Sequence, residues 1–140
     1  MKRREFFALA GATMLLPKTA LAQNVPEMLV YDEGLVAEHL AKGETVFVDF
    51  YADWCGTCRA QDRVINKLRA ANPSYDKAMT FIKLDWDLFG DGDLSKSLNI
   101  PRRSTLVVLK GDKEIGRVVA GTSKAQIKEL LDAGMAAAAS

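Results

Sequence analysis

The sequence has few of the residues from which metal centres, nucleic-acid-binding surfaces and membrane spans are built. Two cysteines and one histidine among 140 residues are too few for a closed four-ligand zinc site within one chain. The formal net charge of +1 gives no electrostatic reason to expect nucleic acid as a partner. The apolar run from Phe6 to Leu16 is shorter than the roughly 20 residues that a transmembrane helix needs. We therefore expect no structural zinc, no nucleic-acid-binding role and no permanent membrane anchor.

The N-terminus predicts export. The segment from Arg3 to Phe7, two arginines followed by apolar residues, resembles the twin-arginine export signal, and an ordinary secretory signal is the alternative. Ala20-Leu21-Ala22 has the form of a cleavage site. Cleavage after Ala22 would remove residues 1–22 and leave residues 23–140 as one domain in the bacterial periplasm. The signal takes four of the 19 Lys and Arg residues and one of the 18 Asp and Glu residues, so the domain would carry a charge of about −2.

The two cysteines form a closely spaced pair, Cys55 and Cys58, directly after the strand-like run Thr45 to Tyr51. Two thiols three residues apart at the start of a helix lie on the same face, one turn apart. A structural disulfide stabilises most when it closes a long loop, and this loop is very short. One thiolate that attacks, backed by a second thiol that resolves the mixed disulfide, is the arrangement that thiol–disulfide exchange needs. The spacing therefore predicts a redox function.

Hydrophobic patterns and turn signals predict a single α/β domain. Strands are predicted over residues 28–31, 45–51, 79–85, 104–110 and 114–120. Helices are predicted from a cap at Asp32 to a stop at Gly43, over 56–71, over 93–98 and from 124 onward. The order β-α-β-α-β-α-β-β-α predicts a mixed sheet with helices on both faces. We expect the tail, residues 135–140, to be frayed.

The run VDFYADWCGTC, from Val48 to Cys58, resembles the active-site segment of the thioredoxin superfamily, and the similarity extends over residues 27–132. The sequence from Tyr51 to Cys55 is also similar to a segment in the C-terminal domain of periplasmic electron transporters, which pass reducing equivalents to exported proteins. The resemblance implies the thioredoxin fold, a monomer that needs no cofactor, and a thiol–disulfide oxidoreductase.

The resemblance also implies roles for individual residues. Cys55 takes the position of the nucleophile and Cys58 that of the resolving cysteine, which should be more buried. A helix N-terminus favours an anion, which agrees with a thiolate at Cys55. Trp54 matches the aromatic residue that flanks and shields the pair. Asp49 matches a buried acid that handles the proton of the resolving cysteine, and Lys83 matches a lysine close to that acid.

The resemblance implies that the segment Arg103-Ser104-Thr105 binds substrate, but this segment departs from the family pattern. The family has a cis-proline just before a Thr-Leu pair, at the substrate-binding loop, whereas this chain has Ser104. A non-proline cis bond costs about 2.5–4 kcal/mol, which favours a trans Arg103–Ser104 peptide, but the sequence does not decide between cis and trans. The hydroxyl and N–H of Ser104, together with the charge of Arg103, would stabilise the Cys55 thiolate.

The expected function is the reduction of protein disulfides, or electron relay, with a membrane thiol–disulfide transporter as electron donor. A disulfide-forming oxidant is one alternative, but it would normally carry an inserted helical domain, for which the sequence leaves no room. A copper-binding module is the other, because a cuprous ion can be held by soft sulfur ligands.

Overall fold

The computed structural model describes residues 24–140. They form a five-stranded sheet in the order β1-β3-β2-β4-β5. The strands are β1 (Leu29–Val30), β2 (Thr45–Tyr51), β3 (Met79–Asp85), β4 (Thr105–Lys110) and β5 (Lys113–Val119). The helices are α1 (Leu35–Ala41), α2 (Gly56–Ala71), α3 (Ser74–Ala78), α4 (Trp86–Phe89), α5 (Asp93–Ser97) and α6 (Lys124–Ala138). The predicted export signal and its cleavage site lie outside the described residues.

The sheet is mixed, as predicted. Strand β2 lies at its centre, parallel to β3 and antiparallel to β4. A strand covered on both faces must be apolar on both, and six of the seven residues of β2 are buried. The predicted mixed sheet with helices on both faces is thereby confirmed.

Successive side chains of β2 enter two different cores. Phe47 packs in the core under α2 and α6, whereas Val46, Val48 and Phe50 pack in the core on the other face. Because side chains alternate along a strand, Asp49 points to the same face as Phe47. The alternation therefore places this carboxyl beneath the helix that begins at the cysteine pair.

The cysteine pair lies where β2 passes into α2. Cys55 is the N-cap residue of α2, and its sulfur accepts a hydrogen bond from the backbone N–H of Cys58 at 3.2 Å. That contact satisfies one of the N–H groups left free at the first turn of a helix. The local fold thus holds the Cys55 sulfur against the helix N-terminus.

Three sequence predictions differ from the structure. Helices α3 and α4 were not predicted, because segments of five and four residues are too short to show helical periodicity. The tail is not frayed from Met135, since α6 continues to Ala138, through alanines that favour helix.

None of the helices within residues 24–140 is long and apolar enough to cross a membrane.

Candidate active site

The two cysteine sulfurs lie 2.6 Å apart, and both thiols are free. Cys55 is 3% exposed and Cys58 is 4% exposed. Accessible surface therefore does not distinguish the two residues, although Cys58 was expected to be the more buried of the pair. What distinguishes the two thiols is their hydrogen bonding and not their accessible surface.

Hydrogen bonds favour the thiolate form of Cys55. Burial, the largest influence, raises its pKa, but the Cys58 thiol, the Ser104 hydroxyl, the Cys58 backbone N–H and the Arg103 side chain outweigh burial. Together they lower the pKa of Cys55 to about 7. A thiol with this pKa is about half ionised at neutral pH, which suits a nucleophile.

The environment of Cys58 raises the pKa of its thiol instead of lowering it. Burial raises the pKa of Cys58, and the hydrogen bond that its thiol donates to Cys55 raises it further. When Cys55 is ionised, the proton that remains in the pair is therefore located on Cys58. This asymmetry is the one that an attacking and a resolving thiol require.

Asp49 is buried, as the apolar residues around it predict. It is 5% exposed, and its Oδ1 finds no hydrogen-bond partner within the described residues. Burial, with a smaller contribution from Asp62, raises the pKa of Asp49 to about 7, although Lys83 opposes the shift. Lys83 is paired with Asp49 in the register of β2 and β3. A carboxyl with this pKa can both take up and release a proton near neutral pH.

A cavity connects the acid with the resolving cysteine. Its volume is about 470 Å³, and Asp49, Cys58, Asp62 and Lys83 are among the residues that line it. Because the lining includes exposed Asp62 as well as buried Asp49, the cavity joins solvent to the carboxyl. A proton that leaves Cys58 can therefore reach Asp49 through this cavity, which polar side chains line.

Ser104 contacts both sulfurs. Its Oγ lies 3.1 Å from the sulfur of Cys55 and 3.0 Å from that of Cys58. Its backbone N–H, however, donates to the carbonyl of Phe50 at 2.7 Å. The expectation that this N–H also serves the thiolate is wrong, since it belongs to the link between the loop and β2. The peptide bond before Ser104 is trans, as are all the others described.

Trp54 does not shield the cysteine pair as expected. Its side chain is 58% exposed, and its indole N–H donates to Asp87 at 2.9 Å. Arg103 stacks on its ring at 4.2 Å from the guanidinium carbon to the centroid. Tyr51 and Trp86 are the partly buried residues that pack against the cluster of Ala52 and the two cysteines, and the sequence assigned no role to Trp86.

The side chain of Thr105 lies inside the protein. It is fully buried, and its hydroxyl donates to the carbonyl of Arg102 at 2.7 Å. The side chain thus fixes the loop before β4, and the substrate-binding role of Thr105 stays a prediction. Arg103, by contrast, is half-buried beside the pair, and its Nε lacks a partner in the described part of the chain.

The sequence reasoning also missed Gln61 and Asp62. Gln61 continues the buried stripe of Ile65 and Leu68 by one turn toward the N-terminus of α2, which was a usable signal for burial. Asp62 acts on Asp49 only through the fold, so no local pattern could reveal it. Residues 24–140 contain no group of three or more His, Cys, Asp and Glu side chains placed to hold a metal ion.

Comparisons with known proteins agree with this geometry. The family model Thioredoxin matches residues 27–133. Thioredoxin-1 of Saccharomyces cerevisiae is 36% identical over 94 residues, which cover 67% of this chain and 84% of that protein. Thioredoxin of Echinococcus granulosus is 36% identical over 102 residues, or 72% of this chain and 89% of that protein.

Among solved structures, Trxlp from Edwardsiella tarda EIB202 matches with a TM-score of 0.65 and 27% identity, covering 75% of this chain and 98% of that one. The family match extends over most of the chain and includes the strand, the cysteine pair and the active-site helix. This chain belongs to the thioredoxin family and is a thiol–disulfide oxidoreductase that acts on protein disulfides.

Proposed function

We propose that the protein is an exported reductant in which Cys55 attacks a protein disulfide and Cys58 resolves the resulting intermediate. The observation that carries the proposal is the opposite perturbation of two adjacent thiols, with the pKa of Cys55 lowered and that of Cys58 raised.

The order of steps in disulfide reduction follows from the location of the proton on Cys58 and not on Cys55. The Cys55 thiolate attacks one sulfur of the substrate disulfide, forms a mixed disulfide and releases the other substrate sulfur as a thiolate. The Asp49 carboxylate then accepts the proton of Cys58 through the cavity that both residues line. The Cys58 thiolate attacks the sulfur of Cys55, closes the intramolecular disulfide and releases the second substrate thiol. The substrate gains two electrons, and the pair loses them.

The pKa of Cys55 supports a reductant over a disulfide-forming oxidant. A very low pKa of the attacking thiol, about 3.5, accompanies a strong oxidant, because it stabilises the reduced form, whereas reducing members have about 7. Cys55 has a pKa of about 7. In addition, only the short helices α4 and α5 separate β3 from β4, so the described chain has no helical domain inserted there.

The reduction potential tests the direction of electron flow. Domain 23–140 is equilibrated with a glutathione series, and the fraction of disulfide is read by alkylation and mass spectrometry. We expect a potential more negative than about −200 mV and reduction of a protein disulfide by the reduced domain. A potential near −120 mV would identify an oxidant instead. Stoichiometric copper in anaerobically purified protein would favour the copper-binding alternative.

Export and the electron donor form the second part of the proposal. The support for export is the twin-arginine pattern Arg3-Arg4 ahead of Ala20-Leu21-Ala22. An exported reductant must recover electrons from a dithiol at the membrane, so a membrane thiol–disulfide transporter is the proposed donor. In cell fractionation, the full chain should be periplasmic, and the double variant Arg3→Lys/Arg4→Lys should remain in the cytosol. Unchanged export of that variant would indicate an ordinary secretory signal.

A further inference from the structure

Gln61 is a buried amide of α2 that the chemistry above does not use. It is 0% exposed. Its Nε2 donates to the carbonyl of Ser104 at 2.9 Å and to that of Gly121 at 3.0 Å. Its Oε1 is buried and finds no partner within residues 24–140. An unpaired buried acceptor is unfavourable for stability, so the property that distinguishes glutamine from an apolar residue here is its pair of donated hydrogen bonds.

The two loops joined by Gln61 both have unusual backbones. Ser104 has φ 62° and Ala120, next to Gly121, has φ 59°. Residues other than glycine seldom adopt this left-handed conformation, and they keep it only where their surroundings impose it. The backbone N–H of Ala120 donates to the Ser104 carbonyl at 2.8 Å. Gln61 therefore links the loop before β4 to the loop after β5 by hydrogen bonds to both.

Helix α2 holds Ser104 at two points. Gln61 binds its carbonyl, while Cys58, three residues earlier on the helix, contacts its hydroxyl. Residues three apart lie on one face of a helix, so the amide and the sulfur reach the same loop residue together. The bond from Gln61 thus joins those from Ala120 and to Phe50 in holding the backbone of Ser104, whose hydroxyl contacts the sulfurs.

We propose that Gln61 is a positioning residue for thiol–disulfide exchange, which holds the left-handed backbone of Ser104 so that the serine hydroxyl contacts both sulfurs. The proposal rests on the proposed role of Cys55 as attacking thiol and goes beyond it by assigning the residue that keeps the serine in place.

The test is the variant Gln61→Met, which removes both donors and keeps the length of the side chain. The alkylation rate of Cys55 is measured against pH in the purified, reduced domain. We expect the rate at pH 7 to fall by about threefold to tenfold, the effect of one lost hydrogen bond. Asp49 on β2, Cys58 on α2 and Arg103 before β4 are the other titratable or charged groups facing Cys55, and they are unchanged.

Two comparisons test whether Gln61→Met slows alkylation of Cys55 because it displaces Ser104. Ser104→Ala should slow alkylation to a similar extent, and the double variant Gln61→Met/Ser104→Ala should be no slower than Ser104→Ala alone. The matched control is Gln126→Met, the same replacement at an exposed glutamine beside Gly121, which should leave the alkylation profile unchanged.

An unchanged profile in folded Gln61→Met, or an additive effect in the double variant, would overturn the proposal. Gln61→Leu serves as a second variant, and if neither variant folded, Gln61 would be a structural residue and the proposal wrong. Failure of the proposed function would look different: the unaltered domain would then not reduce a protein disulfide, whatever the alkylation rate of its variants.

Discussion

Replacement of Asp49 with asparagine should stabilise the protein above pH 7 and slow its exchange reaction. Burial, with a smaller contribution from Asp62, raises the pKa of Asp49 from 3.8 to about 7. Since each pH unit corresponds to 1.36 kcal/mol, the ionised carboxylate costs the folded state about 4 kcal/mol above pH 7. Asparagine has a similar shape and no charge, so it avoids this cost.

The pH dependence follows from the sign of that shift. An acid whose pKa is raised on folding contributes stability that is fully present below about pH 3.8 and is lost as the pH rises through about 7. The free energy of unfolding of Asp49→Asn should therefore match the parent protein at pH 3.5 and exceed it by about 4 kcal/mol at pH 8.

Urea unfolding of both reduced proteins at the two pH values measures the difference. Asp53→Asn, at an exposed position four residues later, is the matched control and should change the free energy of unfolding by less than about 0.5 kcal/mol at either pH. Disulfide exchange by Asp49→Asn should be at least about tenfold slower at pH 7, because the amide cannot accept the Cys58 proton. A variant less stable than the parent at pH 8, with unchanged exchange, would refute the reasoning and make Asp49 a structural residue.

Two further variants test the loop and the fold. Ser104→Ala should raise the pKa of Cys55 by about one unit and make the potential more negative, because it removes a hydrogen bond that favours the thiolate; titration of thiolate absorbance measures the shift. Proline is a poorer choice there, since its φ near −65° is incompatible with the observed 62°. Arg69→Met should reduce the free energy of unfolding by about 2–3 kcal/mol, measured in urea, because Asp76 would lose its buried partner; an unchanged value would contradict this.

The central elements were predictable because their signals are local. The apolar run at Thr45–Tyr51 and the helical pattern over residues 56–71 defined β2 and α2 without knowledge of the fold. The same local signals placed Cys55 at the start of the helix and Asp49 among buried residues.

The surroundings of the thiols could not be predicted, because they depend on contacts between distant segments. The left-handed backbone of Ser104 is imposed by Phe50, Ala120 and Gln61 from three other parts of the chain. Sequence alone also could not decide which tryptophan covers the pair. Position next to the cysteines favoured Trp54, but the fold places Trp86 against the buried cluster that contains them.

Trapping of the mixed disulfide tests the central claim most directly, namely that Cys55 attacks and Cys58 resolves. The reduced variants Cys58→Ser and Cys55→Ser are each mixed with a disulfide-bonded protein, quenched with an alkylating agent, and analysed for covalent adducts. Cys58→Ser should accumulate an adduct through Cys55, because nothing displaces the substrate, and Cys55→Ser should form almost none. Equal or greater trapping through Cys58 would contradict the account.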